Sequence, residues 1–207
     1  KGGREALKIS GEGGIGKTAL VREICDNFIS PSSKINWIWW HSSKERSFVN
    51  NSITAHFLEN NSLQDIKERI DETALWKMED LINEEEINPL FVLDNMERED
   101  PALVEEIANE LSLIGQVIIT SRYDIENVAG LSYSLTGLEP EDSNQYMRKL
   151  ANYYSCKLIS DSKNEDISHW AGELNHNPLR LRTFVEQVKE GIAPQDFINR
   201  PEPREGI

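Results

Sequence analysis

Apolar residues along this chain follow two rhythms. Up to about residue 136, short unbroken apolar runs alternate with stretches of helical spacing; beyond it only helical spacing is left. Ala6-Leu7-Lys8-Ile9-Ser10 reads as a short strand, and from Thr18 to Ile29 the residues Leu20, Val21, Ile24 and Phe28 mark one helical face. Ile35-Asn36-Trp37-Ile38-Trp39-Trp40 carries apolar groups on both faces, as a strand buried in a parallel sheet does. Phe48 to Ile87 predicts helix in two or three pieces, with stripes at Ile53, Phe57 and Leu58, then Leu63, Ile66 and Ile70, then Leu75, Met78, Leu81 and Ile82. Pro89 to Asp94 and Gln116 to Arg122 are further buried strands, the second ending in a polar triplet, and Leu131 to Thr136 reads as one more short strand. Between them, Pro101 opens a helix running to about Ser112.

At Gly137-Leu138-Glu139-Pro140 the period changes. A helix carrying Tyr146, Met147, Leu150 and Tyr153-Tyr154 follows, then one over Glu165 to Leu174, one over Leu179 to Glu190, and a last turn near Phe197. The expectation is an α/β domain with a parallel sheet over residues 1–136, then a small helical bundle with its tail over 137–207. A length of 207 residues suits that pair and is enough to bury a core. Beginning at Lys1 rather than Met, the sequence reads as a piece of a longer protein.

Between the first strand and the first helix lies Gly11-Glu12-Gly13-Gly14-Ile15-Gly16-Lys17-Thr18. It fits the phosphate-binding loop G-x-x-x-x-G-K-[ST] at every fixed position, in the strand, loop, helix context that the motif requires. Glycines let backbone N–H groups wrap a polyphosphate, and the helix that follows turns its N-terminal dipole toward the anion. Lys17 supplies charge for the β- and γ-phosphates and Thr18 a hydroxyl for Mg²⁺. The loop makes the α/β domain a three-layer P-loop NTPase. An Asp at a strand end, such as Asp94, is often a helix cap; with the loop upstream, a Mg²⁺ role is the better reading. Arg122, in the Thr120-Ser121-Arg122 triplet that ends a buried strand, either reads the γ-phosphate or is a surface arginine. The crevice beyond strand carboxyl ends is where such sheets bind ligands.

Composition narrows the partners. Against 22 basic residues stand 36 acidic ones, giving −14, which argues against a general nucleic-acid surface. So negative a field calls for Mg²⁺ to admit a nucleotide. Cys25 and Cys156 lack paired metal spacing, Cys25 reads as a buried thiol, and a reducing cytoplasm fits. No apolar run is long enough to span a membrane and no secretory signal opens the sequence. Trp37, Trp39 and Trp40 are read as core rather than as a stacking platform for bases. His41 and His56 have no ligand partner in sequence, and Glu84-Glu85-Glu86 reads as a solvated helix end.

Five segments in order, Gly11–Thr18, Leu90–Asn95, Val117–Arg122, Gly137–Ser143 and Asn175–Leu181, resemble the NB-ARC type of STAND nucleotide-binding switch over nearly the whole chain. That family occurs in plant disease-resistance proteins, apoptosome scaffolds and bacterial defence or signalling proteins. The resemblance implies ATP/ADP held by Gly11, Gly13, Gly14, Ile15, Gly16, Lys17, Thr18 and Ala19, with Mg²⁺ on Thr18 and Asp94. It makes Thr120 and Arg122 the sensor strand and Pro178 the proline that packs on adenine. As a bare residue Pro178 also suits the first turn of a helix, and both roles are compatible. Lys17, Asp94 and Arg122 are then the catalytic set, the other domains of the parent chain are partners, and the activated protein is a cytoplasmic homo-oligomer.

Departures from the family matter. Its usual Asp-Asp is Asp94-Asn95 here, and an amide cannot act as a general base. Asn177 and Arg180 stand where Leu and Ala are common. The leading expectation is an ADP-held switch with slow hydrolysis. A turnover ATPase of motor or kinase type is the alternative, and a relict loop that binds no nucleotide is the third reading. No guanine-recognising Asn-Lys-x-Asp is present.

Overall fold

The structure, a computed structural model, describes residues 5–28, 35, 37–43, 48–49, 82 and 88–199. Contacts divide the chain into two units: residues 1–12 with 17–135, and residues 13–16 with 136–207.

The first unit is built on a six-stranded sheet. Its strands are β1 (Ala6–Ser10), β2 (Trp37–Ser42), β3 (Phe48–Val49), β4 (Pro89–Asp94), β5 (Gln116–Thr120) and β6 (Gly130–Ser134). They lie in the order β3-β2-β4-β5-β1-β6, all parallel except β3, which pairs antiparallel with β2. The β5 strand therefore separates the loop-bearing β1 from β4, placing the Thr120 end next to β1 and the Asp94 end one strand further.

Side chains on these strands alternate between two cores, because successive residues of a strand point to opposite faces. Trp37, Trp39, Phe91, Leu93, Val117 and Ile119 meet Val104, Ile107, Ala108 and Leu111 of α2 (Pro101–Ile114). Ile38, Trp40, Leu90, Val92 and Ile118 meet Val21 and Cys25 of α1 (Lys17–Phe28) on the other face. Both faces are covered, which explains the unbroken apolar runs. Trp37 and Trp39 pack edge-on against Phe91 at 5.7 and 6.2 Å. The three tryptophans are at most 3% exposed, so the core reading holds and a base-stacking platform is excluded. Burial and the neighbouring Asp26 push the Cys25 thiol up to about 11, leaving it protonated and inert.

One local feature departs from the pattern read in the sequence. Phe48–Val49, expected to open a helical stretch, is a strand whose backbone pairs with Trp39 and Trp40; the rest of that stretch, except Ile82, lies outside the described residues. At the other edge, all five residues of β6 are exposed. Gly130 there approaches Ala6 so closely that a Cβ would come within 1.9 Å of the Ala6 carbonyl oxygen.

The second unit is helical: α3 (Pro140–Tyr154), α4 (Lys157–Ser160), α5 (Asn164–Glu173), α6 (Pro178–Lys189) and α7 (Pro194–Ile198). Met147, Ala151, Ile159, Ile167, Leu181, Phe184 and Val185 form its core. The four-residue α4 escaped the sequence reading, being too short to show a period. Arg148 secures it by donating to the carbonyls of Ser160 and Ser162 at 2.8 and 2.9 Å, where a helix end leaves acceptors unmet. On α6, Glu186 accepts from the Tyr154 hydroxyl and, at 2.9 Å, from Arg182 Nε.

Candidate functional site

The chemistry-bearing groups of the first unit gather at the carboxyl ends of β1, β4 and β5. Asp94 ends β4 and is 1% exposed. An ionised carboxylate at that depth needs donors on its oxygens. It has three. The Thr18 hydroxyl, at the start of α1, lies 2.9 and 3.1 Å from the two oxygens. The Thr120 hydroxyl, at the end of β5, donates at 2.5 Å, and the Asn95 amide donates at 2.6 Å. The loop hydroxyl and the strand carboxylate, 76 positions apart, thus form one pair. Paired oxygens of this kind suit a hard divalent cation, with water and phosphate oxygens completing its shell. No group of three or more His, Cys, Asp or Glu residues placed to hold a metal occurs among the described residues.

Asn95 shows how the strand end is locked. Its backbone takes the left-handed conformation, φ 62 and ψ 43, which Asn tolerates better than most residues. In that turn its N–H donates to Thr120 Oγ1 at 2.9 Å, its amide also reaches Ser42 Oγ at 3.2 Å, and its carbonyl accepts from the Ser43 hydroxyl. The side chain is thus spent as a donor that steadies Asp94. Thr120, fully buried, gives its proton to Asp94 and its lone pair to Asn95. Its one donor and one of its two acceptor positions are thus engaged inside the protein.

Lys17 is 7% exposed, and its ammonium group folds back over the loop, donating to the carbonyls of Gly11 at 2.7 Å and Glu12 at 3.0 Å. Gly16 takes φ 109, a conformation that L side chains rarely adopt, and a Cβ there would meet nothing within 4 Å. An open glycine corner, a lysine ammonium held over the loop and a helix N-terminus suit a polyphosphate. Ile15 is buried and Ala19 exposed.

Arg122 stands two residues past β5, with its Nε 3.4 Å from Glu97 Oε1. Glu97 belongs to the 3₁₀ turn Met96–Arg98 that follows β4. Nothing in the sequence around Glu97 points to a partner 25 positions on.

In the second unit, Pro178 opens α6 and Asn177 caps it, its side-chain oxygen accepting from Leu179 N and Arg180 N at 3.1 and 3.3 Å. The same side chain, 0% exposed, donates to Gly13 O at 3.0 Å, and Leu179 N donates to Gly14 O at 3.3 Å. Asn177 was noticed in the sequence only as a departure from the family's usual residue. Its capping role is what Asn before a helix-opening proline provides.

Comparison with known proteins supplies the family. The sequence profile of the NB-ARC domain matches residues 1–157. No curated protein sequence matches. Among solved structures, the fold is similar to that of PCH-2 of C. elegans, 11% identical with a TM-score of 0.52, over 94% of this chain and 58% of that one. It is also similar to Cdc6p of Pyrobaculum aerophilum, 10% identical with a TM-score of 0.51, over 88% and 54%. A STAND protein with a tetratricopeptide-repeat sensor from Pyrococcus horikoshii aligns at 17% identity and a TM-score of 0.47, over 92% and 28%. The chain thus spans 58% or less of each of these proteins.

Proposed function

The chain belongs to the NB-ARC family, and from that premise we propose that it is an ATP/ADP-binding switch module of a STAND-type signalling or defence protein. The observation that carries the reading is the convergence of Thr18 and Asp94 beside the loop that holds Lys17. Bound there, a nucleotide brings the phosphates and Mg²⁺ that complete the site. Lys17 exchanges its two carbonyl partners for phosphate oxygens, and the N-terminus of α1 faces the anion. Thr18 and Asp94 hold the cation, with Thr120 and Asn95 fixing the carboxylate. Arg122 reads the γ-phosphate, and Pro178 packs on adenine. Differential contacts to the γ-phosphate then shift the parent protein between a resting ADP form and an ATP form that assembles into homo-oligomers in the cytoplasm.

A turnover ATPase is disfavoured by one observation: Asn95, the residue after Asp94, is an amide that donates to that carboxylate and so cannot take a proton from water. Phosphate release from Mg-ATP is expected to stay near background.

Isothermal titration with ADP and ATP, each with Mg²⁺, tests the proposal. Lys17→Ala is expected to weaken both by about 100-fold, since hydrogen bonds to charged groups contribute roughly 1.5–3 kcal/mol each. Failure of the natural sequence to bind either nucleotide, or equal affinity in the variant, removes the reading.

A further inference from the structure

We infer that Glu97 sets the preference between di- and triphosphate by holding Arg122 when no γ-phosphate is present. This rests on the reading of Arg122 as the γ-phosphate sensor and goes beyond it, because it assigns a competitor to that arginine.

The two groups come from neighbouring parallel strands, the turn after β4 and the segment after β5, and meet at the carboxyl edge of the sheet. Their burial is unequal. The Glu97 side chain is 5% exposed and that of Arg122 31%. A carboxylate that deep is costly to strip of a cation, whereas the arginine keeps one side toward solvent. The guanidinium fork binds carboxylate and phosphate through the same donors, so the two anions compete for it. A γ-phosphate carries more negative charge than one carboxylate and can take Arg122; a diphosphate has no oxygen there to offer. Glu97 lies three residues past Asp94, in the 3₁₀ turn that follows β4. Every triphosphate that binds must work against this ion pair, and the diphosphate need not. Glu97 is accordingly a specificity-determining residue that biases the module toward the diphosphate.

The test measures, on the full 207-residue chain, the ratio of affinities for ADP and for an ATP analogue with a non-hydrolysable β–γ bridge, by calorimetry with Mg²⁺. Glu97→Gln is expected to raise analogue affinity relative to ADP by about tenfold, within the usual range of coupling between sites. Arg122→Ala should lower that ratio, and the double variant should match Arg122→Ala alone, as a shared pathway requires. Thermal melting of each variant checks folding; should Glu97→Gln fail to fold, Glu97→Asp, which keeps the charge at shorter reach, should shift the ratio in the same direction by less. An unchanged ratio in a folded Glu97 variant, with Arg122→Ala still lowering it, overturns the competition alone. An unchanged ratio in Arg122→Ala overturns the sensor reading itself, and the inference with it.

Discussion

Asp94 and Glu186 are both carboxylates held by a hydroxyl and a nitrogen donor, yet their surroundings are opposite. Asp94 lies 1% exposed at the end of a central strand, and the Glu186 side chain lies 35% exposed on a helix. Around Glu186, the Tyr154 hydroxyl first and Arg182 second hold the carboxyl below its usual range, but water competes for each bond and screens the charge. Around Asp94 no such competitor is at hand, so each donor must be supplied by the fold. Thr18, Thr120 and Asn95 come from three separate segments to do it. A cluster of that kind in a sheet's ligand crevice is organised for binding, while the helical one merely decorates a surface.

Removing the acceptor is the strongest way to break this contrast. Asp94→Ala leaves three donors without their partner, and unfolding by denaturant should show a loss of about 3 kcal/mol, at roughly 1 kcal/mol or more per orphaned group. A loss below about 1 kcal/mol would mean that the cluster is no more than the surface one. His41 sharpens the contrast from the side of pH. It pairs in register with Leu93, is 3% exposed, and burial lowers its pKa from 6.5 to about 4. Between those values the unfolded chain takes up a proton that the folded chain refuses, so stability falls as pH falls through that window. From pH 6.5 to about 5 the loss attributable to this group is about 1.5 kcal/mol. His41→Phe, which keeps a ring stacked near Trp39, should remove that part of the pH dependence in denaturant titrations; an unchanged slope would refute it. Smallest of all, Glu186→Gln should leave the melting temperature without resolvable change, and a clear drop would show that exposure does not separate the two clusters.

Much of the architecture was legible because periodicity reports burial. The apolar runs at Leu90–Leu93 and Val117–Ile119 announced strands covered on both faces, and Pro101 announced the start of α2, where the Asp100 side chain accepts from Ala102 N at 2.8 Å. The loop motif fixed Lys17 and Thr18 as candidates. Strand order was not legible, since an apolar run says that a strand is buried but not who its neighbours are. Nor was the pairing of Phe48–Val49, because two residues carry no period. The family resemblance brought Thr18 and Asp94 together, but their direct hydrogen bonds, and that of Thr120, were not legible: the three are dispersed in sequence, and only the parallel sheet brings their ends into contact. Asn95 stood out in the sequence only as an amide in place of the family's second Asp; its left-handed turn and its grip on Asp94 arise from the fold.

The approach of Gly130 to Ala6 has a consequence for the edge of the sheet. A strand whose residues all face solvent has no buried face to choose its alignment, and such strands are prone to slip. Sliding β6 by one position either way would put Ala129 or Leu131 opposite Ala6, each bringing a methyl or larger group into a gap that admits only hydrogen. The edge is keyed like a lock with a single notch, and its alignment is dictated by one absent atom rather than by any attraction.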